Sequence, residues 1–135
     1  MAEAFPFELV SPEKLLVSGD ASQVLIPGTE GYFLVLANHA PFMSTIKPGV
    51  IEVKMADGEA SRYVVFGGFA DVSPNGLSIL AEHAVNVKDL NKDEIAKRIQ
   101  DAREDLADAK DDHAKAEAAD YLDQLITMQR AVSSA

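Results

Sequence analysis

Residues 28–49 read GTEGYFLVLANHAPFMSTIKPG, and the fold is decided on this stretch. It packs turn-forming residues (Gly28, Gly31, Asn38, Pro41, Pro48, Gly49), one histidine and several large apolar side chains into a short span. Tyr32 to Leu36 is an apolar run of strand length, closed by Asn38. No nucleophile is set beside a base. The stretch reads as a shaped surface on a β domain.

The same pattern continues on both sides. Upstream, Phe7–Val10 stops at Ser11-Pro12, Leu15–Val17 at Ser18-Gly19-Asp20, and Gln23–Ile26 at Pro27-Gly28. Downstream, Val50–Met55 alternates and meets Asp57-Gly58, a strong hairpin signal. Arg62–Phe66 ends at Gly67-Gly68, which reads as a strand-edge bulge or a close backbone contact. Phe69–Val72 meets the tight turn Pro74-Asn75-Gly76, and Leu77–Leu80 closes the series. Some eight or nine short strands with regular turn signals predict an antiparallel β-sandwich or flattened barrel.

The composition changes near Val87–Asp89. All 8 glycines and all 6 prolines precede this point. The expected division is a β-sandwich domain at 1–87 and a helical domain at 88–135. In the second segment Ile95, Ile99, Ala102, Leu106 and Ala109 recur at helical spacing. Asn91 is placed to cap the first helix, with Glu94 as its capping-box partner and Leu90 with Ile95 as a hydrophobic staple. Asp93–Lys97 and Glu94–Arg98 are favourable i, i+4 pairs. The stripe breaks after Lys110 and resumes through Ala118, Leu122, Leu125 and Ile126. Glu104, Asp105, Asp108, Asp111 and Asp112 would be like-charged neighbours on one continuous helix. Two helices bent near Asp111–His113 into an antiparallel hairpin are therefore expected. The acid run itself reads first as a solvated turn.

Bulk properties exclude several function classes. With 135 residues and 47% hydrophobic content, the chain can bury a core. A net charge of −10 argues against phosphate-backbone binding and against charge-driven adsorption to anionic lipid. There are 0 cysteines, so disulfides, thiol catalysis and thiolate–metal sites are absent. The N-terminus MAEAFP has neither the basic and apolar regions of a secretory signal nor the arginines of a transit peptide, which favours a bacterial over an organellar source. No apolar run reaches the roughly 18 residues of a transmembrane helix.

Motifs for chemistry are missing. There is no phosphate-binding GxxxxGK[ST], no GxGxxG and no GxSxG elbow. His39, His83 and His113 fall in three different predicted elements without ligand spacing. No catalytic, cofactor or metal residues are expected. His39, in Asn38-His39-Ala40-Pro41, has two readings: it fixes the turn, or it meets a partner. Phe33, Leu36, Phe42, Met43 and Ile46 are either core or, for the half that strand alternation leaves outside, an interface patch.

Taken together, Gly31-Tyr32-Phe33-Leu34-Val35, His39-Ala40-Pro41-Phe42, Ile46-Lys47-Pro48-Gly49 and Phe66-Gly67-Gly68-Phe69 resemble the epsilon subunit of bacterial F-type ATP synthases. The opening Phe7-Glu8-Leu9-Val10-Ser11-Pro12-Glu13 and the late Leu80-Ala81-Glu82 are similar to the same family. The resemblance runs over essentially the whole chain. It implies a sandwich of about ten strands followed by the two-helix hairpin, and a non-catalytic rotor component on the cytoplasmic face of the bacterial inner membrane. It implies that the sandwich meets the gamma subunit and the membrane c-ring through Glu30, Tyr32, His39, Pro41 and Phe42, in a loop from Glu30 to Phe42. The hairpin would fold on the sandwich or extend toward the alpha and beta catalytic subunits and hinder hydrolysis, and the isolated chain would be a monomer.

Two departures bear on regulation. Nucleotide-responsive members of that family carry Ile/Leu-Asp-x-x-Arg-Ala at the start of the first helix. The matching positions here read Leu90-Asn91-Lys92-Asp93-Glu94-Ile95. Glu94 stands where a cation would meet phosphate, so useful ATP binding is not expected. From Ala114 onward, Lys115 and Arg130 face Glu117, Asp120 and Asp123, a net −1 that suits an acidic target poorly. Weak intrinsic inhibition is expected. The rival reading is a stand-alone ligand-binding β-sandwich with a helical dimerisation tail. The lack of tryptophan and the presence of only 3 tyrosines count against a glycan-binding version of it.

Overall fold

The computed structural model describes residues 3–133. Nine strands are followed by two helices: β1 (Phe5–Val10), β2 (Leu15–Gly28), β3 (Gly31–Val35), β4 (Phe42–Ile46), β5 (Gly49–Met55), β6 (Ala60–Val65), β7 (Gly68–Ser73), β8 (Gly76–Ala81), β9 (Ala84–Asn86), α1 (Lys92–Asp108) and α2 (Asp112–Ser133). The chain divides into two compact units between Asn86 and Val87.

In the first unit the strand order is β1-β8-β7-β4-β2-β5-β6-β9, with β3 also on β2 and β1 also paired with β2. The β1–β2 and β4–β2 pairings close the sandwich at two corners, as in a flattened barrel. One pair, β1–β8, is parallel; the other pairs are antiparallel. Alternation does the sorting. In β1, Phe5, Phe7 and Leu9 are buried while Pro6 and Glu8 face water. The fully covered side chains Leu9, Val24, Ile26, Ile51 and Ile79 form the centre of one core. Each such aliphatic side chain contributes on the order of 1.5–3 kcal/mol by leaving water.

Three elements differ from the sequence expectation. Ser18-Gly19-Asp20 is not a turn: β2 runs through it as one 14-residue strand. Gly19 is extended (φ 157°) and its register partner is Phe7, so tertiary pairing overrides the local turn signal. Phe42–Ile46 and Ala84–Asn86 are strands that local pattern did not mark. The Asp57-Gly58 hairpin forms as read, with the Gly58 N–H donating to the Met55 carbonyl at 2.9 Å.

In the second unit, a 3-10 turn over Val87–Asp89 leads into α1. Asn91 is its N-cap, and its Oδ1 accepts from the Glu94 N–H at 3.0 Å. The reciprocal half of the capping box does not form, because the Glu94 carboxylate turns to Arg98 at 2.7 Å. Among the described residues Asp93–Lys97 makes no ion pair. The helices break at Ala109–Asp111, slightly ahead of the expected bend. Ala109 leaves helical geometry at ψ 133°, and Asp111 caps α2 through the Ala114 N–H at 2.7 Å. Ile95, Ile99, Ala102 and Leu125 are buried between the helices, flanked by Leu90, Leu122, Ile126, Met128 and Val132.

Candidate functional site

The window from Glu30 to Phe42 is not one loop. Thr29 and Glu30 form the two-residue tip of the β2–β3 hairpin. β3 then carries the chain away from that tip for five residues, about 15 Å at strand rise, before the loop of Leu36–Pro41 turns it into β4. Glu30 therefore sits at one end of β3 and His39 at the other.

Tyr32 acts first as a brace. Its hydroxyl accepts from the Val50 N–H at 3.2 Å, and the Lys47 ammonium lies 5.8 Å from its ring centroid. Tyr32 crosses over Pro27, its register partner, to reach the start of β5. Gly49 is required by this close approach, since a Cβ there would meet the Tyr32 hydroxyl at 2.7 Å and Pro27 at 2.9 Å. Even so, Tyr32 keeps half of its surface exposed.

The loop is built by local polar bonds. Asn38 adopts the left-handed region (φ 67°), and its Nδ2 donates to Glu3 Oε2 at 2.7 Å. The His39 N–H closes a turn onto the Leu36 carbonyl at 3.2 Å. His39 Nδ1 lies 2.7 Å from the Ala40 carbonyl; an oxygen of that kind only accepts, so Nδ1 bears the proton. The turn-fixing reading of His39 thus has a bond behind it. Glu30 and Pro41 are exposed, and Phe42 packs edge-to-face on Phe33 at 5.3 Å while leaving much of its surface in water. Ile46 is core, whereas Phe33 is half-buried and Leu36, Phe42 and Met43 are exposed.

Sheet register reveals a second surface that no linear window contains. Across one face the pairs run Leu15↔Val10, Val10↔Leu80, Leu80↔Phe69 and Phe69↔Thr45. Leu15, Leu80 and Phe69 are 56%, 55% and 45% exposed, a density of large apolar side chains that marks an interface. The next row on this face carries Met43, Asp71, Ser78 and Glu8. The sequence signal was there: Leu80 is apolar, yet out of phase with the buried Leu77, Ile79 and Ala81.

The three residues picked at the helix start have structural duties. Asn91 caps, Glu94 pairs with Arg98, and Leu90 packs on the hairpin core. Among the described residues, no three His, Asp or Glu side chains gather to hold a metal, and no helix is long and apolar enough to cross a membrane.

Comparison with known proteins agrees with this architecture. Residues 4–87 match the family model described as the beta-sandwich domain of the ATP synthase delta/epsilon chain. The ATP synthase epsilon chain of Mesorhizobium japonicum is 59% identical over 132 residues, covering 98% of both chains. That of Brucella anthropi is 50% identical over 135 residues, covering 100% of both. The fold is shared with a chain of the Euglena gracilis mitochondrial ATP synthase structure (TM-score 0.83, 24% identity, 96% of this chain and 81% of that one). On the strength of these matches over its whole described length, the chain belongs to the family of ATP synthase epsilon chains.

Proposed function

We propose that this chain is a non-catalytic rotor component of a bacterial F-type ATP synthase that works by gripping two neighbours at once. It sits peripherally at the cytoplasmic face of the inner membrane, held there by the complex. The row of Leu15, Leu80 and Phe69 seats the gamma subunit. The side bounded by Glu30, Tyr32, His39, Pro41 and Phe42 meets the membrane c-ring. The observation that carries this reading is the concentration of exposed large apolar side chains on the sandwich: among the described residues, eight of the nine lie there and Tyr121 lies in the helices.

The closed core also suits torque transmission, because a packed interior does not yield gradually under load. The hairpin buries its apolar stripe between its own two helices. That leaves little for a second copy to cover and disfavours a dimerisation tail. It serves as a regulatory arm toward the alpha and beta subunits, with weak inhibition and no useful ATP binding. Leu90, Asn91 and Glu94 set the geometry of its start.

Co-purification tests the reading. The full-length chain is expected to be monomeric alone and to form a 1:1 complex with its gamma subunit on size-exclusion chromatography. Phe69→Asp and Leu80→Asp are expected to lose that complex while keeping their circular dichroism spectra. Unchanged gamma binding by both variants would refute the assignment of the apolar row.

A further inference from the structure

The turn Ser73-Pro74-Asn75-Gly76 joins β7 to β8, and it holds the one asparagine–glycine pair in the sequence. Asn75 is exposed at the tip, and among the described residues its side-chain amide makes no hydrogen bond. The other three asparagines are tied down, and each precedes a residue with a side chain. Asn38 donates to Glu3 at 2.7 Å, Asn86 donates to the Tyr63 hydroxyl at 3.4 Å, and Asn91 accepts from the Glu94 N–H at 3.0 Å. Asp57-Gly58 is the closest analogue, but Asp57 Oδ1 accepts from the Glu59 N–H at 2.9 Å, and a carboxylate is a poor electrophile. Position 76 is glycine for a packing reason: an added Cβ would run into the Pro6 carbonyl oxygen. The same missing Cβ leaves the Gly76 nitrogen unscreened.

We infer that Asn75 is a site of spontaneous deamidation in the folded chain, with water as the only co-reactant. The Gly76 nitrogen gives up its proton and bonds to Asn75 Cγ, closing a succinimide ring. The side-chain nitrogen leaves with that proton as ammonia. Water then opens the ring at Cγ, which restores the normal backbone and leaves aspartate, or at the main-chain carbonyl, which leaves isoaspartate with the chain running through Cβ. Nothing is oxidised or reduced. The fold contributes access. Ser73↔Gly76 is the terminal pair of the β7–β8 ladder, where a hairpin opens most readily. The turn is further held by the Ser73 hydroxyl, which accepts from the Asn75 N–H at 3.2 Å and donates to the Gly76 carbonyl at 3.4 Å, both long for such bonds. Either product changes the surface. Asn75 lines an open cleft of about 380 Å³ with Glu8, Asp20 and Asp71, so the new carboxylate joins three others. Isoaspartate also lengthens the backbone by one carbon and displaces Gly76 from its close fit against Pro6.

The test keeps the full chain folded at neutral pH and follows it over time by peptide mass mapping. The peptide holding Asn75 is expected to exchange NH2 for OH, with isoaspartate resolved as a second chromatographic peak, while Asn38, Asn86 and Asn91 stay intact over the same interval. The rate should lie within about tenfold of that in the free peptide Ser-Pro-Asn-Gly, the hindrance of opening one weakly held rung. Asn75→Gln would have to close a less favourable, larger ring, so it is expected to fold and to abolish the extra acidic species on anion exchange. An Asn75 that persists unmodified, equal conversion at any of the other three asparagines, conversion only after unfolding in urea, or the same acidic species in Asn75→Gln overturns the inference.

Discussion

Gly67 and Gly68 are adjacent, both have positive φ, and the structure assigns them unequal costs. At Gly67 (φ 112°), an added Cβ would meet only the Glu82 carboxylate, at 3.1 Å, a flexible group that can swing aside. Gly67→Ala thus carries little beyond the backbone penalty, about 1–2 kcal/mol. At Gly68 (φ 141°) the same atom would lie 2.2 Å from the Leu80 carbonyl oxygen and 2.9 Å from the Ala81 Cα. These are backbone atoms of the neighbouring strand, paired in register with Gly68 and Phe69. Relief requires parting β7 from β8, so Gly68→Ala adds about 1–3 kcal/mol of overpacking to the same backbone penalty. For a unit of this size each kcal/mol lowers Tm by about 4–8 °C. Thermal and urea melts of the two variants, followed by circular dichroism, compare them directly. Melting temperatures within about 4 °C of each other, or a milder effect at Gly68, would refute the close-approach reasoning.

Other outcomes follow from the same structure. Asn91→Ala should cost the hairpin about 1 kcal/mol through loss of its bond to the Glu94 N–H, seen as faster amide exchange in the first turn of α1. Leu125→Ala, at a site 2% exposed, should cost about 2–4 kcal/mol and melt the hairpin without moving the β-unit transition. Titration with millimolar ATP should give no saturable heat and no hairpin protection. Deleting residues 88–135 from the assembled enzyme should change ATP hydrolysis only slightly; a several-fold rise would show that the arm brakes strongly.

Local chemistry was legible wherever a few neighbouring residues decide the outcome. The Asn91 cap, the hairpin at Asp57-Gly58 and the buried phase of β1 and β5 could all be read in the chain itself. β4 was hidden because Phe42-Met43-Ser44-Thr45-Ile46 follows a proline and lacks clean alternation; its strand state comes from β7, more than twenty residues away. The continuity of β2 was hidden because Ser18-Gly19-Asp20 resembles a turn until β1 pairs with it. The candidate surfaces are the least legible: β3 holds Glu30 and His39 apart although they are close in sequence, and only sheet register brings the exposed Leu15, Phe69 and Leu80 together.

Site-specific photo-cross-linking in the assembled ATP synthase tests the gripping account most directly, with the probe placed in turn at Phe69 and at Glu30. The account predicts a gamma-subunit adduct from Phe69 and a c-ring adduct from Glu30, in the same preparation. An intact, coupled complex that yields no adduct to another subunit from either position would contradict it.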